Sequence, residues 1–153
     1  FSEQEWRELV KMIRNFRSPL LDGLLALEVE WYEGKLPIAE VKELEMMNWP
    51  PFVDLAGSRK LADLVKAFRD GKMPPNHHEF AENLARLRKD FSIGAMQGKP
   101  IVVAQSERPP YLLVEGFTRF SALLMNILDG ESYGGEVSII LGISQRLPEW
   151  EFA

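Results

Sequence analysis

The strongest constraint on this fold is the order of patterns in the last third of the sequence. Pro100–Ala104 and Tyr111–Val114 are compact apolar runs of the kind that form strands, and a polar, proline-containing turn separates them. Glu115-Gly116 follows directly, Thr118–Leu128 has helical character, and Val137–Leu141 is another β-type run. Strands mixed with a helix in this order predict an α+β fold, with a small mixed β-sheet packed against helices.

The first ninety residues are predicted to be mostly helical, because start signals recur along them. Helices are expected after the capping box Ser2–Glu5, after Ser18-Pro19 over Leu20–Ala26, and after Pro37. Ser58 and Asn76 are expected to cap two more. The predicted inward residues of the last three helices are Ile38, Val41, Leu44 and Met47; Leu61, Leu64, Val65 and Phe68, with Gly71 just beyond the end; and Phe80, Leu84 and Leu87.

Two details of this half shape the fold prediction. Leu27–Trp31 alternates as a half-buried strand does, which we favour, although the same residues could prolong a helix as far as Gly34. Trp49-Pro50-Pro51 is expected to end the helix that begins at Pro37. We therefore predict one domain over residues 1–153, with a helical elaboration over 1–98, a sheet core over 99–143 and a tail over 144–153.

Composition narrows the function. The chain has 153 residues, 46% of them apolar, and contains no cysteine, which excludes disulfides, thiolate metal sites and cysteine nucleophiles and suits a cytoplasmic protein. No apolar run approaches the length that crosses a bilayer, so no membrane association is expected. A net charge of −5 makes nucleic acid a less favoured partner. A basic stripe on the first helix leaves that alternative open; it comprises Arg7, Lys11, Arg14 and Arg17.

The segment from Glu115 to Arg119 is the candidate site. A glycine directly after a strand lets the backbone pass close to a ligand, and the N–H groups of the following helix attract anions. Thr118 can cap that helix or donate its hydroxyl to a phosphate, and Arg119 can form paired hydrogen bonds to phosphate oxygens. Glu115 can bind a metal ion or accept a proton. The alternative is purely structural: Gly116 ends a strand and the rest begin a helix.

Lys99–Leu141 resembles the core of the ParB/sulfiredoxin superfamily. The resemblance rests on the strand Pro100-Ile101-Val102-Val103, on Leu112–Arg119 with its Glu-Gly-Phe-Thr-Arg turn, and on the closing strand Val137–Leu141. It implies that this turn binds nucleotide phosphates through Gly116, Phe117, Thr118 and Arg119. Members include CTP-binding partition proteins, a free-serine kinase, sulfiredoxins and proteins described as nucleases. The implied ligand is a nucleoside triphosphate with Mg²⁺, and Glu115 is the candidate catalytic residue of a phosphotransferase or nuclease.

The sequence departs from each branch of that family at the turn. Sulfiredoxins place their reactive cysteine where this chain has Phe117, so sulfiredoxin activity is excluded. The kinase branch has an acidic residue where Glu115 stands but paired histidines at the next positions after the glycine. In the partition proteins the glycine precedes a glutamate and paired arginines, of which only Arg119 is present.

A second class of function is a regulatory interaction module, of the kind found among phage and plasmid accessory proteins, with a degenerate nucleotide site. Trp150 and Phe152 lie in a polar tail, so they are expected either to fold back on the domain or to contact a protein partner, as could the helical half. His77, His78 and Glu82 have spacing that resembles a metal site, but too few ligands come together, so no metal is expected there.

Overall fold

The structure is a computed structural model that describes residues 4, 7, 8, 11, 23–72, 78–89, 91–93 and 99–153. Five strands lie in this part: β1 (Glu30–Pro37), β2 (Glu45–Met46), β3 (Ile101–Ala104), β4 (Leu112–Glu115) and β5 (Glu136–Ile143). The α-helices are α1 (Pro50–Ala56), α2 (Leu61–Arg69), α3 (His78–Lys89) and α4 (Phe117–Leu128). Two short 3₁₀ helices cover Ile38–Glu43 and Leu147–Glu149.

The five strands form one mixed sheet in the order β1-β5-β3-β4-β2. The β1–β5 and β3–β4 pairs are antiparallel, whereas β3–β5 and β2–β4 are parallel. The parallel β3–β5 pair fits a chain that crosses back through α4, since parallel neighbours need a long connection. The predicted α+β fold with a small mixed sheet is confirmed.

Both faces of the sheet are covered by apolar side chains. Alternate residues of a strand point to opposite sides, so each central strand contributes to two separate cores. Val102 and Leu113 belong to the larger core, which also contains Phe120 of α4 and Leu64 of α2. The second core lies on the other face; its strand residues are Ile101, Val103, Leu112, Val114 and Ile140. Trp150 from the tail completes that second core together with Leu24 and Leu27.

The favoured strand near Leu27 exists, but its bounds were wrong. Leu27 is buried in the second core before the strand begins, and Glu28 has φ +55°, which interrupts extended backbone. β1 then runs through Gly34 to Pro37, paired along its length with β5. Two of the five strands precede residue 99, so the sheet extends beyond the predicted core of residues 99–143.

The helix expected after Pro37 is a 3₁₀ helix that ends at Glu43. Ile38, Val41 and Leu44 are buried as predicted, but Met46 takes the inward position expected for Met47, because β2 pairs with β4 there. Trp49-Pro50-Pro51 begins α1 rather than ending a helix. Proline fits the first helical turn because the N–H group it lacks has no acceptor there.

In α2 the predicted inward residues are all buried: Leu61, Leu64, Val65 and Phe68. The helix starts later than expected, with Lys60 at the N-cap; Ser58 accepts a hydrogen bond from the Lys60 N–H and donates one to Asp63. Gly71 follows the helix with φ +83°, as expected. In α3, Leu84 is buried and Phe80 partly buried, but Leu87 is 38% exposed, so its inward placement was wrong.

Several predictions fall wholly or partly outside the described residues. Residues 4, 7, 8 and 11 are helical and exposed, but Arg14, Arg17 and the apolar side of that first helix are not described. Asn76 and His77 are also outside, and of the predicted helix Leu20–Ala26 the described residues 23–25 are helical. Among the residues described, no helix has the length and apolar character needed to span a membrane.

Candidate functional site

The turn that joins β4 to α4 places Gly116 directly between the strand and the helix, as the sequence predicted. Gly116 is the N-cap of α4 with φ +106°, a left-handed conformation that side chains other than glycine rarely adopt. A Cβ atom built on Gly116 would lie 2.8 Å from the Pro100 Cβ atom. Glycine is therefore required twice over, once by the dihedral angle and once by the close approach of the start of β3.

Because Gly116 is the N-cap, α4 begins one residue earlier than predicted, at Phe117. Thr118 then lies inside the first turn, so the alternative in which its hydroxyl caps the helix was wrong. The Phe120 N–H donates to the Gly116 carbonyl at 3.0 Å, which is the first hydrogen bond of the helix. The positive end of the helix dipole lies at this first turn.

Glu115 and Arg119 form an ion pair across this turn. The Arg119 Nη2 atom lies 2.6 Å from the Glu115 Oε2 atom, and the two residues are four apart along the chain. The Arg119 side chain is only 15% exposed, whereas that of Glu115 is 36% exposed. Arg119 is therefore largely buried beside the start of α4.

A cavity of about 430 Å³ lies over the turn, within the range of small-molecule sites. All five predicted site residues line it: Glu115, Gly116, Phe117, Thr118 and Arg119. The rest of its lining is apolar or aromatic. It comes from the segment before α1, from α1, α3 and β4, and from the tail. These residues are Met46, Met47, Trp49, Phe52, Phe80, Leu113, Val114 and Phe152.

Phe117 anchors a group of packed aromatic rings on one side of this cavity. Its ring is stacked on Phe52 with centroids 5.3 Å apart and planes within 8°, and it contacts Phe80 at 5.2 Å. Phe68 lies against both Phe52 and Phe80. These contacts bring α1, α2 and α3 to the start of α4, so Phe117 forms part of an apolar wall of the cavity.

Arg59 ties together two other parts of the cavity lining, the segment at Met46 and the tail. Its Nη2 atom donates to the Met46 carbonyl at 2.7 Å and reaches the Phe152 carbonyl at 3.4 Å, and its Nη1 atom donates to the Ala153 carbonyl at 3.3 Å. The Asn48 N–H also donates to the Phe152 carbonyl at 2.8 Å. The Arg59 side chain thus holds the tail against the rim of the site.

The sequence did not indicate this role of Arg59, nor that Trp49, Phe52 and Phe80 meet at one site. Arg59 follows Ser58 without a recognisable motif, and the aromatic residues fit helix starts and core positions equally well. The one sequence feature that pointed to part of this lining was the pair of aromatic residues in the polar tail, Trp150 and Phe152. Trp150 is 4% exposed and contacts Phe152 edge to face, so the tail folds back on the domain, which was one of the two alternatives.

In the part of the chain that is described, no three histidine, aspartate or glutamate side chains cluster together. His78 is exposed at the start of α3. Comparison of the chain with protein-family models, with curated proteins and with solved structures gave no match.

Proposed function

We propose that this protein binds a phosphate ester, such as a nucleotide, with the phosphate at the start of α4. The observation that carries the proposal is the cavity of about 430 Å³ that is lined by all five residues of the Glu115–Arg119 turn. The start of a helix, where the positive end of its dipole lies, favours an anion, and a mostly apolar cavity with a few polar groups at one place is typical of small-molecule sites.

Arg119 supplies the side-chain charge for that anion. Its guanidinium group can donate to a phosphate oxygen while one N–H stays on Glu115, because the group has five N–H donors. The Glu115 carboxylate fixes the direction of the arginine side chain beside the cavity. This preorganisation lowers the entropy lost when the ligand is bound.

The resemblance to the ParB/sulfiredoxin superfamily supports the same ligand class, since in that family the corresponding turn binds nucleotide phosphates. We extend the proposal to a nucleoside triphosphate with Mg²⁺. Glu115 is the acidic side chain that lines the cavity among the residues described, so it is the candidate metal ligand, and the candidate base of a phosphotransferase or nuclease reaction.

Thermal unfolding with a panel of ligands tests this proposal. Inorganic phosphate, adenosine monophosphate, and several nucleoside triphosphates with and without Mg²⁺ would be compared. Binding to the native state stabilises by about 2.7 kcal/mol at a hundredfold excess over Kd, so at least one phosphate compound should raise Tm by several degrees. A flat response at millimolar concentrations across the panel would contradict the proposal.

The role of Glu115 is tested in the same assay. Glu115→Gln should remove any Mg²⁺-dependent part of the stabilisation and leave the Mg²⁺-independent part. Glu82→Gln, on the exposed side of α3 and away from the cavity lining, is the matched control and should behave as the parent protein. Equal Mg²⁺ dependence in all three proteins would exclude Glu115 as a ligand of the metal.

A second candidate function is the regulatory interaction module. The observation in its favour is Trp49, which lines the cavity yet is 45% exposed, as an apolar anchor for a protein partner would be. Trp150 does not serve this purpose, since it is buried in the second core. Thermal unfolding with the ligand panel distinguishes the two functions, because the Tm of an interaction module with a degenerate site would not change when phosphate compounds are added.

A further inference from the structure

The cavity consists of two chemically different parts, and phosphate binding uses only one of them. The Glu115–Arg119 turn supplies the polar groups, whereas most of the remaining lining is aromatic or thioether. A phosphate alone would leave that apolar part in contact with water. The ligand should therefore carry an apolar group next to its phosphate.

Trp49 shows where that group is expected to lie. Large apolar side chains are usually covered, yet the Trp49 side chain is 45% exposed while it lines the cavity. Its exposure is not the result of a loose backbone. The Trp49 N–H donates to the Met47 carbonyl at 2.7 Å, and the Trp49 carbonyl accepts hydrogen bonds at 3.0 Å from the N–H groups of Phe52 and Val53.

Two prolines directly after Trp49 restrict the backbone further, since each fixes its own φ and Pro50 also restrains the residue before it. The indole is thus carried on a rigid support at the cavity, with the aromatic group around Phe117 as another part of the lining. A rigid aromatic surface favours a flat partner over a flexible chain, because a chain loses rotational freedom on binding and a ring does not.

We propose that Trp49 stacks on a planar aromatic ring of the ligand, so that the site selects aromatic phosphate esters, nucleotides among them, over sugar phosphates and alkyl phosphates. This inference rests on the proposed phosphate site and adds the chemical class of the rest of the ligand. Thioethers pack well on ring faces, and Met46 and Met47 supply two of them to the same lining.

Calorimetric titration with four phosphate esters tests this selectivity: adenosine monophosphate, naphthyl phosphate, ribose phosphate and hexyl phosphate. In the parent protein the two aromatic esters should bind about tenfold or more tightly than the other two, since stacking of a base on an aromatic side chain has an effect of that size. Adenosine without phosphate is included as a fifth probe.

Three variants assign the effect to Trp49. Trp49→Ala should remove the preference for aromatic esters while ribose phosphate binds as before, and Trp49→Phe should keep most of it. Tyr32→Ala is the matched control, because Tyr32 is an equally exposed aromatic side chain on β1 and does not line the cavity. It should leave all five affinities unchanged.

The outcomes separate this inference from the phosphate site. If ribose or hexyl phosphate binds as tightly as the aromatic esters, or if Trp49→Ala keeps the preference, stacking is wrong while the phosphate site stands. If no ester binds more tightly than free adenosine, yet adenosine binds and Trp49→Ala abolishes that binding, the ring site stands without the phosphate site. If none of the five probes binds, both proposals are wrong.

Discussion

The two ends of α4 differ in how they are capped and in which side chains surround them. At the C-terminal end, the Arg69 Nη1 atom donates to the Leu128 carbonyl at 3.1 Å, and the Arg88 Nε atom donates to the Asn126 Oδ1 atom at 2.9 Å. Both arginines also form ion pairs with Asp129. At the N-terminal end the cap is a glycine, and a cavity lies over the first turn.

The difference shows which end is organised for stability. Cations near the C-terminus of a helix are favourable, and two arginines from neighbouring helices supply them. The N-terminal turn instead holds a cation, Arg119, which the helix dipole disfavours and which Glu115 compensates. The proposed phosphate site would use this end of the helix.

The largest expected effect concerns two glycines, one at each end of α4. Gly116 and Gly130 both have positive φ, but a Cβ on Gly130 would meet nothing within 4 Å, whereas one on Gly116 would meet Pro100. Gly130→Ala should cost only the backbone strain, about 1–2 kcal/mol, and Gly116→Ala should cost about 1–3 kcal/mol more from overpacking. Denaturant midpoints of the two variants measure the difference; equal midpoints would mean that the approach of Pro100 relaxes freely.

Arg59 should have the next largest effect, because one side chain links the rim of the site to the tail through three carbonyl groups. Hydrogen bonds from a charged donor contribute about 1.5–3 kcal/mol, and we expect Arg59→Ala to lower the free energy of unfolding by an amount in that range. Arg59→Lys retains the charge but not the planar fork, so it should recover only part of the loss. Full recovery by lysine in urea unfolding would show that charge alone is needed.

Arg88→Ala tests whether the C-terminal end of α4 contributes to stability without affecting ligand binding. Its side chain is 30% exposed and bonds Asn126 and Asp129, so its loss should destabilise the protein by about 1 kcal/mol. Binding of phosphate compounds at the other end of the helix should not change. A change in ligand affinity beyond twofold in titrations of this variant would mean that the two ends are coupled.

The part of the site that sequence could predict is the part made by consecutive residues. The β-type runs at Ile101 and Leu112, and the glycine after β4, follow from local pattern and backbone chemistry. Glu115 and Arg119 were placed correctly at one turn because the intervening helix start fixes their separation. The parallel strand β2, at only two residues, is too short to leave a pattern of its own.

The remainder of the site depends on contacts between distant segments, which periodicity does not report. Trp49-Pro50-Pro51 fits the end of one helix as well as the start of another, and only the pairing of β2 with β4 decides between them. Arg59 and Phe152 are brought together across most of the chain. Likewise, the local sequence identifies Phe117 only as a helix residue, and only the three-dimensional structure reveals that its ring stacks on Phe52.

The phosphate site is tested by comparing Arg119→Ala with Arg88→Ala, one arginine at each end of the same helix. Affinity for adenosine monophosphate and the denaturant midpoint would be measured side by side. We predict that Arg119→Ala weakens binding by about ten- to a hundredfold, the equivalent of a charge-assisted contact, and changes the denaturant midpoint little. Arg88→Ala should lower the denaturant midpoint and leave the affinity unchanged. If Arg119→Ala lowers the midpoint strongly but binds the ligand normally when folded, the arginine is structural and the start of α4 is not a phosphate site.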